Sequence, residues 1–139
     1  IVHMAVHAYA DNDLENAKMV EPLEQVINGL NAEMKQRHIR RLRKGKCTIE
    51  LGWVLQDLLT NIERVSDHCS NIAICIIEVT EDEFDTHNYL EELKENNFKW
   101  YKHAIIVYRD KFKLPDAIVD EEETVVSILK KEDKDTKKK

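Results

Sequence analysis

Apolar residues recur at three- and four-residue steps along most of the chain. Between residues 14 and 44, Val20, Leu23, Ile27, Leu30 and Met34 keep this spacing, which places them on one face of a helix. From Leu51 to Val79 the series Leu51, Leu55, Leu58, Ile62, Val65, Cys69, Ile72, Ile76, Val79 is an unbroken 4-3-4-3 stripe, the pattern of a bundle seam. Residues 1–10 carry Val2, Ala5, Val6, Tyr9 and Ala10 and read as the end of a further helix. Asp11-Asn12-Asp13 then supplies a turn and an N-cap. Gly45 is placed as the C-cap glycine of the second helix and Thr48 as the N-cap of the third. Pro22 lies inside the second helix and predicts a kink or a restart, because it removes a backbone hydrogen bond. An acidic stretch at 78–85 reads as a loop. A fourth helix is predicted over His87 to Phe112, with Leu90, Leu93, Asn97, Trp100, Ala104, Val107 and Tyr108 on one side and Pro115 beyond its end.

Composition narrows the class. Only 3 Gly and 2 Pro occur in 139 residues, and 35% of residues are charged. So few turn-formers do not serve an all-β sandwich or a Rossmann sheet, and they suit a helix bundle. The expected fold is all-α: an antiparallel, up-and-down bundle of long helices with an extra C-terminal helix. Three regions are expected: a helical repeat over 1–80, an acidic loop and additional long helix over 81–115, and a charged, largely disordered tail over 116–139. No apolar run reaches the roughly 20 residues that span a bilayer. Cys47, Cys69 and Cys75 lack metal-ligand spacing and are read as thiols of a reducing compartment. The chain starts at Ile1, so a piece of a longer protein is expected.

The polar side of the third helix carries the candidate chemistry. Measured from Ile62, residues Glu63, Asp67 and Asn71 fall at about 100°, 140° and 180°. They make a ridge of oxygen donors at i, i+4, i+8, which suits a hard or borderline cation. Any amphipathic helix has such a face, and plain solvation is the competing account. Asp57, Asn61, Arg64 and His68 form a second ridge, read as solvated. On the second helix Glu21, Glu24 and Asn28 flank the seam, where an antiparallel neighbour can present Glu63 and Asp67. No Ser/His/Asp or Cys/His set with nucleophile spacing is present.

The run Asn61-Ile62-Glu63-Arg64-Val65-Ser66-Asp67-His68-Cys69-Ser70-Asn71-Ile72-Ala73 resembles the signature of the PhoU family of phosphate-transport regulators. Asp13, Ala17, Val20, Glu24, Ile27 and Leu30 match the spacing of the preceding helix. His38, Arg41-Leu42, Gly45, Cys47, Gly52 and Asp57 to Asn61 look like the PhoU-type domain attached to sodium/phosphate cotransporter-related membrane proteins. The resemblance covers roughly residues 5–80. It implies a spectrin-like three-helix repeat, normally present twice, with the first helix clipped at Ile1. It also implies acidic ExxxD motifs that bind iron, zinc, nickel or magnesium. Glu63 and Asp67 match the third-helix motif, followed by Asn71, whereas Asn28 stands where the second-helix motif beginning at Glu24 has an acid.

The implied function is non-enzymatic regulation of a membrane phosphate transporter, at the cytoplasmic face of a bacterial or archaeal membrane. The transporter domain is expected in the same polypeptide, and a homodimer is expected because the seam needs a cover. A carboxylate metalloenzyme and a structural dimerisation bundle are the alternatives. The cations Arg37, Arg40, Arg41, Arg43 and Lys44 complement a helix C-terminus or dock on a partner or membrane. The net charge of −6 argues against nucleic acid.

Overall fold

Local chemistry sets the helix ends. In the computed structural model the described residues are 1–81 and 99–116. They form α1 (Val2–Asp11), α2 (Leu14–Arg43), α3 (Ile49–Glu81) and α4 (Lys99–Phe112). Between α1 and α2, Asn12 takes the left-handed conformation, φ 50°, which its short polar side chain tolerates. Asp13 then caps α2, accepting the Asn16 backbone N–H at 3.0 Å. At the far end of α2 the Gly45 N–H donates to the Leu42 carbonyl and the Lys46 N–H to the Arg41 carbonyl. With Gly45 at φ +64°, these are the paired bonds of a Schellman stop. The Thr48 hydroxyl accepts the Leu51 N–H at 3.3 Å and opens α3. Backbone hydrogen bonding, then the Thr48 hydroxyl, hold the Glu50 carboxyl below its ordinary range. That support of the α3 start is present above the ordinary carboxylate pKa and is lost as pH falls through the lowered one.

These ends lie within a residue or so of expectation, whereas residues 78–81, expected to begin the acidic loop, continue α3 to Glu81. α2 runs unbroken through Pro22, so there is no restart. Residues 87–98 of the expected fourth helix, the 82–85 part of the acidic loop and the 117–139 tail lie outside the described residues.

α2 is the central element, packed by α1, α3 and α4. The main core is built from Ala5 and Ala8 of α1, Ala17 and Val20 of α2, and Cys69, Ala73, Ile76 and Ile77 of α3. Four of these eight are alanines, which let helix backbones approach closely. Burial pushes the Cys69 thiol pKa up, against a small opposing pull from the N-terminal ammonium. All three cysteines are free. α4 packs on α2 through the buried Tyr101 and Ala104. The Tyr108 hydroxyl reaches the Met4 sulfur at 3.9 Å.

The structure corrects the expected seam of α3. Of its nine stripe residues, Cys69 and Ile76 are buried and Leu55 is half-buried, while Leu51, Leu58, Ile62, Val65, Ile72 and Val79 are exposed. The face turned to α2 is instead Gly52, Leu59, Ser66, Ser70, Ala73 and Ile77, rotated from the centre of the stripe by about 95°. Small and hydroxyl side chains there admit polar groups of α2, and hydrophobicity does not register them. The apolar stripe is left on the surface. Trp53 and Trp100 are exposed as well.

Candidate functional site

The Asn61–Ala73 motif faces both ways. Ser66, Cys69, Ser70 and Ala73 point inward, whereas Asn61, Arg64, Asp67, His68 and Asn71 are exposed and Glu63 is half-buried. Glu63 leans toward α2, where the Lys35 ammonium lies 3.8 Å from its carboxylate. Asn71 borders a different region. With His68, Ile72 and Cys75 it lines an apolar groove of about 840 Å³ against Ala5, Val6 and Tyr9 of α1. Helix rotation thus splits the expected oxygen ridge, with Asp67 between its two ends.

On α2 the Asn28 amide donates to the Glu24 carboxylate, as side chains four apart do on one face. Three contacts fix the antiparallel register of α2 and α3. The Ser70 hydroxyl donates to Glu21, the Asn31 amide donates to the Leu59 carbonyl at 3.3 Å, and the His38 ring abuts Gly52. In this register Glu24 is level with Asp67, and Asn28 with Glu63. The two expected halves of the site therefore share a height on the bundle. Even so, among the described residues no three His, Cys, Asp or Glu side chains are grouped to hold a metal. The donor set of Glu63 and Asp67 fits an open, largely hydrated cation such as Mg²⁺, which is bound through one or two carboxylates and keeps several waters. It does not make a caged site.

Sequence reading placed Glu21 beside the seam but missed that it forms a buried polar line with Asn31 and His38. Its signal was present in α3, where Gly52, Ser66 and Ser70 recur on the side facing these residues. Such buried polar contacts set register more than stability. The Cys47 sulfur lies 3.5 Å from His38 Nδ1. The second ridge is surface, as expected: Asp57, Asn61, Arg64 and His68 are all exposed, and the Asn61 amide donates to the Asp57 carbonyl at 2.9 Å.

The basic residues separate into two kinds. Arg37 is structural: its Nε donates to Glu33 at 2.8 Å, and a terminal nitrogen donates to the Pro115 carbonyl, tying the residues after α4 to α2. Arg40, Arg41, Arg43 and Lys44 are exposed at the α2–α3 end. Among the described residues no helix is long and apolar enough to cross a membrane.

Comparison with known proteins bears on the first three helices. The family model described as "PhoU domain" matches residues 1–76, which are α1, α2 and most of α3. The phosphate-specific transport system accessory protein PhoU homolog 1 of Thermotoga maritima is 25% identical over 79 residues, covering 57% of this chain and 34% of that protein. The chain thus spans about a third of the length of this curated relative. No solved structure matches. A family model that covers more than half of the chain, and ends just beyond the Asn61–Ala73 motif, makes the chain a member of the PhoU domain family.

Proposed function

We propose that this chain is a non-enzymatic regulatory domain of phosphate transport, which acts on a membrane phosphate transporter and holds a divalent cation at Glu63 and Asp67. The observation that carries the reading is the Asn61–Ala73 motif, displayed on α3 inside a PhoU-family body with Asp67 exposed. The Thermotoga relative, named for a phosphate-specific transport system, supports the process. Lys35 beside Glu63 occupies the position of a counter-charge, and a bound cation replaces it there. Asn71, Glu24 and Asn28 stand around the pair as neutral or second-helix oxygen donors. The transporter is of the sodium/phosphate cotransporter type, part of the same polypeptide, with this domain at its cytoplasmic face.

Two measurements test this separately. Titration calorimetry with Mg²⁺ and elemental analysis should detect a cation on the wild-type chain. Glu63→Ala/Asp67→Ala should weaken it by about tenfold per carboxylate, on the order of 1.4 kcal/mol each, with helical content unchanged. Equal metal binding by the double variant sinks the site but leaves the regulatory role standing. That role fails if cells lacking the gene take up phosphate as the parent does.

The exposed stripe on α3 is the face for a second copy of the chain, since contiguous apolar surface of this kind marks an interaction site. Sedimentation velocity is expected to show a dimer, and Leu58→Asp/Val65→Asp a monomer. A wild-type monomer at working concentration removes the dimer.

A further inference from the structure

The α2–α3 end of the bundle combines two features that the phosphate-regulator reading does not use. Residues 34–56 hold Lys35, Arg37, Arg40, Arg41, Arg43, Lys44 and Lys46 against a single acid, Glu50. Lys35 is engaged across to α3 by Glu63, and Arg37 along α2 by Glu33. Among the described residues no carboxylate pairs with Arg40, Arg41 or Arg43. The half-charge of a helix C-terminus accounts for a cation or two in the last turn, not for this accumulation. It stands out further in a chain whose net charge is −6.

The same end exposes large apolar side chains. Ile49 is 68% exposed and Trp53 70%, and Val54 and Ile39 are exposed as well. Ile49 and Trp53, four residues apart, share one side of α3, while Val54 lies about 100° round the helix. A shaped protein groove needs its anchors on one face. Side chains distributed around a tip suit a fluid layer. Tryptophan prefers the headgroup level of a bilayer, and clustered Lys and Arg are attracted to anionic lipid at the same depth.

We propose that this end of the bundle docks on the anionic surface of a membrane, with Arg40, Arg41 and Arg43 against lipid phosphates and Trp53 with Ile49 in the headgroup layer. Charge complementarity selects the occupant, and the exposed indole sets the depth. The inference holds whatever the chain regulates.

The test uses the full chain with vesicles of phosphatidylcholine alone, or of phosphatidylcholine with a third phosphatidylglycerol. Co-sedimentation is expected only with the anionic vesicles, and it should be lost at high salt as screening shortens the reach of surface charge. Each neutralised cation should weaken partitioning about fivefold, so Arg40→Gln/Arg41→Gln/Arg43→Gln should weaken it about a hundredfold. In a Trp100→Phe background, which leaves Trp53 as the sole indole, emission should shift to the blue on binding. Trp53→Ser should reduce binding while preserving its salt dependence. Equal binding to neutral and anionic vesicles overturns the proposal. So does wild-type binding by the triple variant, a Trp53 emission unmoved by bound vesicles, or capture by an acidic protein with no vesicle binding at all.

Discussion

Leu59→Ala should cost about 3 kcal/mol, within the range of about 2–5 for truncating a fully buried leucine, whereas Leu58→Ala should cost less than about 1 kcal/mol. Leu59 is 0% exposed and sits where α3 meets α2, with its carbonyl accepting the Asn31 amide. Leu58 is 55% exposed. The 4-3-4-3 stripe ranks the two the other way round, because Leu58 belongs to it and Leu59 does not. Thermal unfolding followed by circular dichroism, at dilution where the chain is monomeric, separates the two accounts. At about 2–4 °C per kcal/mol for chains somewhat longer than this one, Leu59→Ala should lower Tm by about 10 °C. Equal losses at the two sites mean that α3 is rotated from the position described.

Gly52→Ala should destabilise by about 1–3 kcal/mol, although glycine to alanine inside a helix ordinarily stabilises. A Cβ at position 52 falls 2.6 Å from His38 Nε2. The His38 ring is buried, with its Nδ1 3.5 Å from the Cys47 sulfur, so it has little freedom to withdraw. Gly29 is the control. Nothing lies within 4 Å of a Cβ there, and Gly29→Ala should stabilise by about 0.5–1 kcal/mol. The contact also predicts coupling. In a His38→Ala background the Gly52→Ala penalty should vanish, an interaction of up to about 3 kcal/mol in a double-mutant cycle. Additive losses at 38 and 52 dismiss the close approach.

Helix existence and helix ends were legible in the chain because they are local. Asp13 caps through a side chain three residues from its donor, Gly45 stops α2 through bonds within its own turn, and Thr48 opens α3 in the same way. The Asn61–Ala73 motif was equally readable, and with it the family, since a motif on a single helix needs no tertiary partner to be recognised. Their four-residue spacing sets Glu63 and Asp67 side by side on α3, with Glu63 half-buried and Asp67 exposed.

Rotation was not legible. Hydrophobic periodicity finds where apolar residues align, and on α3 they align on a face of which only Cys69 and Ile76 are buried in the core. Packing against α2 is governed by size and by polar partners: Gly52 admits a histidine ring, Ser70 meets Glu21, and Ala73 lets backbones close. A scale that rewards large apolar side chains passes over these residues. The same rotation divides Glu63 from Asn71, so the oxygen ridge drawn from angles alone is two environments, one beside Lys35 and one beside α1. It also decides that Glu21, rather than Glu24, is the acid buried between the helices. The amino-acid sequence by itself determined an all-α chain, its helix limits and its signature motif, all set by interactions within a few residues. Which side of α3 is core, which acids meet it and which apolar stripe is left for a partner depended on how neighbouring helices fit. That fit is a property of shape, which the order of apolar residues does not encode.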